Sequence, residues 1–165
     1  MKRLLLAVCL AGAIAPVQAR NLHAISSRAD KAPAKATVQA FFAAFGKGDL
    51  EALVQTFDPN AEITAVRTGE RAAGQLYGSY KGHTGVREFV SGLGAAFSTK
   101  AFTVDQVIGE GEIVFASGKF THEVKATGKL FSSDWALKCV VRGGKIVSYH
   151  FYEDSAALLQ ASAGS

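Results

Sequence analysis

The segment KIVSYHFYED, residues 145–154, holds the densest set of chemically competent side chains in the sequence. Side chains of a strand alternate between its faces, so Ser148, His150, Tyr152 and Asp154 share one side, and Val147, Tyr149 and Phe151 the other. A hydroxyl, an imidazole, a phenol and a carboxylate in a row can move a proton and hold a ligand oxygen. The apolar row suits packing against a second layer or another chain. The expectation is a strand whose polar face floors a cavity.

His150, Tyr152 and Asp154 are therefore the candidate catalytic residues. An imidazole on a cavity-facing strand serves as a general base near neutral pH when a partner orients it, although a hydrogen-bonded structural histidine fits the same position. Tyr152 is placed to donate to a ligand oxygen, or to span core and solvent as buried tyrosines do. Asp154 stands just before Ser155, where a carboxylate also caps a closing helical turn. Five further residues are candidate ligand contacts. Trp135, the only tryptophan, suits a pocket mouth or the core. His122 points away from Glu123 and is the inward member of the two, with Phe120 and Val124 nearby. Glu62 is a wall carboxylate at the start of a short strand. Phe41 and Phe45 belong to an aromatic helical stripe. His83, in KGHTG, is expected to hold a loop or cap a helix.

Other chemistries find no support. Histidines at 23, 83, 122 and 150 lack the paired spacing of zinc sites, and no cysteine cluster joins them, so neither metal nor cofactor is expected. There is no phosphate-cradling glycine loop and no nucleophile elbow. Basic residues are scattered without interleaved aromatics, so nucleic acid is not an expected partner.

The chain of 165 residues, 48% hydrophobic and 19% charged, suffices for one domain. Residues 1–19 pair a basic start, Lys2 and Arg3, with the apolar run Leu4 to Ile14 and a small-residue exit at Val17-Gln18-Ala19. That is the pattern of a signal peptide, so the protein is expected to be exported, periplasmic or secreted, without a membrane anchor after cleavage. The formal charge of +4 falls by the two units that Lys2 and Arg3 carry. Cys139 is then the only cysteine, in the apolar stretch 137–141, and reads as a buried hydrophobe.

Residues 20–34 are polar and alanine-rich and read as a flexible lead-in, 35–161 as the domain, and 162–165 as a tail. A helix carries Val38, Phe41, Phe42 and Phe45, and Asp49 caps a short second helix after Gly46-Lys47-Gly48. A short strand over 62–66, a glycine-rich loop over 68–82 and a helix over 85–97 follow. Strands are expected over 102–109, 112–126, 130–142 and 145–154, joined by short glycine turns, with Gly118 as a bulge or bend. Helices first and a meander afterwards give an α+β fold: a cone-shaped, curved antiparallel sheet packed against N-terminal helices.

In this order the chain resembles the SnoaL-like, ketosteroid-isomerase-related branch of the nuclear-transport-factor-two-like superfamily. The carriers are VQAFFAAFGKGDLEALVQTFDPNAEI, YGSYKGHTGVREFVSGL and WALKCVVRGGKIVSYHFYEDSAAL, all marks of the fold and none a catalytic signature. The resemblance implies a pocket between helices and concave sheet, suited to an apolar small molecule, and a homodimer through the outer sheet face. It spans isomerases, cyclases, dehydratases, hydrolases and proteins without catalysis, so a ligand-binding protein, a cofactor-independent isomerase, cyclase or hydrolase, and a non-catalytic dimerisation module all fit. Isomerases of this architecture pair a carboxylate base with a phenol and a protonated acid. Here the first helix presents Phe41, Phe42 and Phe45 where a donor tyrosine is wanted.

Overall fold

The computed structural model describes residues 31–72 and 74–163. Segment 1–19, expected to be a signal peptide, and most of the expected lead-in fall outside them. Helix α1 spans Lys31–Lys47, ahead of the expected boundary at 35. Pro33 lies in its first turn, where a missing N–H breaks no intrahelical bond. Ala34, Val38, Phe41 and Ala44 form its buried stripe. Gly48, at φ +67°, ends it, and the Asp49 carboxylate accepts from Ala52 N at 3.0 Å to start α2, Leu50–Gln55. Both oxygens of Glu51 on α2 accept from the guanidinium of Arg87, one of them at 2.7 Å.

Strand β1, Phe57–Ala65, begins earlier than the sequence suggests. A short β2, Gly78–Lys81, passes directly into α3, Gly82–Ala96. Gly82 makes that junction possible, because φ is +64° and a Cβ there would lie 2.4 Å from the Pro59 carbonyl oxygen. Five strands follow: β3 Phe97–Phe102, β4 Gln106–Glu110, β5 Ile113–Val124, β6 Leu130–Arg142 and β7 Lys145–Glu153. Helix α4, Ser155–Ser162, closes the described chain. The sheet runs β2-β1-β7-β6-β5-β3, with β4 also on β5, and every pairing is antiparallel except β1 with β7. This is the α+β curled sheet that the element order predicts. Among the described residues no helix is long and apolar enough to cross a membrane.

The strand expected over 102–109 is two strands, because between them the chain bows across Gly118 while staying on the same edge of β5. Thr103 N and Asp105 N donate to Lys119 O and Ser117 O, both at 2.8 Å, straddling Gly118. Gly118 keeps its register with Trp135 on β6, so it is no bulge but the seat for this crossing.

The bulge that decides the site lies in β7. Val140 pairs with Ser148 but Val141 with Ile146, which leaves Val147 as the extra residue. In a regular strand, burying Ile146 would turn Ser148, His150 and Tyr152 inward. With the bulge, Ile146, Tyr149, Phe151 and Glu153 all face the helices, and the polar row faces out.

Candidate functional site

The concave face of the sheet and helices α1, α2 and α3 enclose a narrow cavity. Aromatic rings dominate the wall. Phe41 of α1 meets Phe57 and Tyr149 edge to face, at 5.7 and 5.6 Å between centroids, and these contacts lock the rings against one another. Burial pushes the Tyr149 phenol far above its ordinary range.

Besides Tyr149, three lining residues break the apolar character. Tyr77 Oη, His122 Nδ1 and Glu153 Oε1 are buried and have no hydrogen-bond partner in the protein. An unsatisfied buried polar group costs about 1–3 kcal/mol, so three on one wall call for a partner from outside the chain. Glu153 ends β7, in the central part of the sheet. Burial, aided by the charge of Asp154, pushes its carboxyl up to about 7, where it changes hands between acid and base near neutrality. His122 on β5 is stacked between Phe97 at 5.2 Å and Phe120 at 4.3 Å. Burial lowers it to about 4, so it stays a neutral imidazole. Tyr77 leads into β2. One strand separates Glu153 from each of the others, β6 from His122 and β1 from the β2 side of Tyr77. The trio is therefore spread across about 10 Å of sheet to either side of Glu153.

Val66 borders the same cavity with φ +63°, a strained conformation for a β-branched residue. Bonds from Val66 N to Phe151 O, 2.9 Å, and from Arg67 N to Ala65 O, 2.7 Å, hold it.

The expected catalytic row lies elsewhere. His150 and Tyr152 stack at 4.0 Å on the convex face, with Tyr152 Oη 2.9 Å from His150 Nδ1, and His150 Nε2 lies 3.4 Å from Val66 O. Asp154 caps α4, accepting from Ala156 N at 3.0 Å and Ala157 N at 3.1 Å. None of the three lines the cavity. The reason is hydrophobic: Tyr149 and Phe151 bring the larger apolar area, and with Ile146 also inward the bulge leaves the polar row to water. The same inversion corrects the apolar row as an outer surface, since Tyr149 is 6% exposed and Phe151 lines the cavity.

Of the expected ligand contacts, Phe41, Phe45 and His122 line the cavity. Trp135 stands behind the wall, stacked on Phe102 at 5.1 Å and Phe151 at 5.7 Å, with its own Nε1 unpartnered. Glu62 is exposed on the outer face, paired in register with Ser148. His83 is local, with Nε2 2.9 Å from Phe57 O. Cys139 is fully buried, and its thiol is pushed up by that burial. Sequence reasoning missed Glu153 and Tyr77. Glu153 was findable, because it shares parity with Tyr149 and Phe151; Tyr77, in a segment without periodicity, gave no signal. Among the described residues no cluster of histidine, cysteine and carboxylates could hold a metal ion.

A curled sheet closed by helices over an aromatic cavity, with a buried titratable carboxyl at the end of the last strand, places the chain among the helix-capped β-cones. The SnoaL-like domain model matches residues 38–149, and the chain belongs to that family. It is similar to an NTF2-like protein from Burkholderia xenovorans LB400, 27% identical over 81% of this chain and 98% of that one, with TM-score 0.70. A second NTF2-like protein, from Burkholderia thailandensis E264, is 26% identical over 79% and 97%, with TM-score 0.69. TerC, co-crystallised with polyporic acid, shares the fold at 22% identity over 78% and 97%, with TM-score 0.64. A search of curated proteins finds no match.

Proposed function

We propose that this SnoaL-like domain takes up an apolar small molecule bearing carbonyl or hydroxyl oxygens and transfers a proton on it through Glu153, as a cofactor-independent isomerase or cyclase does. The observation that carries the reading is the trio of unpartnered polar atoms, on Tyr77, His122 and Glu153, in an otherwise aromatic cavity. A ligand oxygen satisfies each of them, while the rings exclude water and supply the affinity. Glu153 suits the acid–base role because its buried carboxyl exchanges its proton near neutral pH. That TerC was crystallised with polyporic acid supports an oxygenated ligand for this type of cone.

Native mass spectrometry of the protein purified from its host tests the reading. An oxygenated apolar compound is expected to travel with the chain and to be released on denaturation. An empty protein whose Trp135 fluorescence ignores such compounds would sink it. The same spectrum reads the proposed export: removal of residues 1–19 leaves a chain starting at Arg20.

The outer sheet face is the proposed site of pairing with a second copy. Ile108 and Phe115, opposite one another on β4 and β5, are 64% and 51% exposed, and Ile113 lies beside them. An apolar patch of this kind on a sheet suits a two-fold, self-complementary contact. Phe115→Asp is expected to convert a dimer to a monomer in light scattering. A wild-type monomer at high concentration would count against the pairing.

A further inference from the structure

A second space adjoins the cavity at His122, between the α1–α2 turn and α3. Phe45, Leu53, Val90, Leu93, Phe97 and His122 line both spaces. Tyr77 and Glu153 belong to the first alone, while the second is bordered by Gly48, Asp49, Gly94 and Thr99, all exposed. The second space is thus a candidate outlet, remote from the titratable carboxyl.

The chemistry of this outlet is simple. Its walls are mostly hydrocarbon, with His122, Asp49 and Thr99 as the polar side chains. One oxygen of the Asp49 carboxylate accepts from Ala52 N as the cap of α2. Two of the rim residues are glycines, and a Cβ built on Gly94 meets nothing within 4 Å. A narrow apolar passage with an uncrowded exit fits a flexible chain better than a rigid ring system, which the tightly interlocked phenylalanines of the first space accommodate.

We propose that the cavity is a through-passage whose ligand carries an unbranched alkyl or acyl chain, its oxygenated head at Glu153 and Tyr77 and its tail leaving between the α1–α2 turn and α3. This rests on the small-molecule reading above and adds the class of molecule. The chain contributes affinity in proportion to its buried length, and the exit frees that length from the limit of the first space.

The test uses saturated 2-alkanones of about six to about sixteen carbons, titrated against the fluorescence of Trp135, which packs on the lining residues Phe102 and Phe151. For the wild-type protein, affinity should rise roughly fourfold with each added methylene, and keep rising beyond the length that fills the first space. Gly94→Leu fills the outlet from α3 and Thr99→Phe fills it from β3. Each variant should match the wild type for short ketones and stop gaining with longer ones, ending roughly tenfold or more weaker for the longest. Wild type and both plugged variants rising in parallel across the series would overturn the passage and leave the small-molecule reading standing. Failure of every ketone to bind any of the three proteins would overturn both.

Discussion

Glu153→Gln is expected to slow exchange of the α-hydrogens of a bound 2-alkanone with D2O by about a hundredfold to ten-thousandfold, the range lost with a positioned general base. Affinity should change little, because glutamine keeps the shape and a hydrogen-bonding oxygen at the same place. In the wild-type protein, NMR should show the exchange rate rising with pH as the Glu153 carboxyl ionises around pH 7, and the variant should lose that rise. An unchanged rate and pH profile would remove Glu153 from the chemistry.

The same substitution leaves a signature in stability. Glu153 is raised in the folded state from 4.5 to about 7, so its contribution is present below pH 4.5 and lost as pH rises through 7. His122 is depressed from 6.5 to about 4, so stability falls as pH drops from 6.5 towards 4. Between pH 4.5 and 6.5 the two slopes oppose one another. Removing Glu153 leaves the histidine slope alone, so the Tm of the variant minus that of the wild type should climb with pH across this window.

Gly118→Ala should be the most damaging single methyl in the described chain. Its Cβ would fall 2.0 Å from the Thr103 carbonyl oxygen and 2.7 Å from the Trp135 ring. Neither can retreat: Thr103 N is bonded to Lys119 O, and the indole is clamped between Phe102 and Phe151. Lifting the crossing breaks its two bonds to β5, for an expected loss of about 3 kcal/mol, a fall in Tm of roughly 10 °C. Gly94→Ala is the contrast, a methyl in open space on a helix, expected to be neutral or to stabilise by about 0.5–1 kcal/mol. Equal melting of wild type and Gly118→Ala would show that the crossing yields.

The architecture was legible because its signals are local. The spacing of Val38 and Phe41, the cap at Asp49 and the glycine turns between long alternating strands each dictate an element without knowledge of the rest. Even the inward turn of His122 follows from parity with Phe120 and Val124. The site was less legible because it depends on long-range pairings. Whether the polar or the apolar row of β7 faces the helices turns on the register against β6, and no residue within 145–154 announces the extra one. Tyr77 enters the cavity only because β2 pairs with β1 after an irregular loop, and Thr103 to Asp105 broke a strand because they must pass over Gly118.

The bulge at Val147 also bears on how relatives are compared. Ile146 and Tyr149 sit three apart on one face, so a relative lacking Val147 would present the same cavity wall. A relative with one residue gained or lost between Tyr149 and Glu153 would exchange its carboxyl for whatever stood on the convex side. Two members of this family can thus share the closing motif letter for letter and display opposite chemistries, or differ by a gap and display the same one. Aligning their last strands by position in the sheet, rather than by letter, is what makes their active residues comparable.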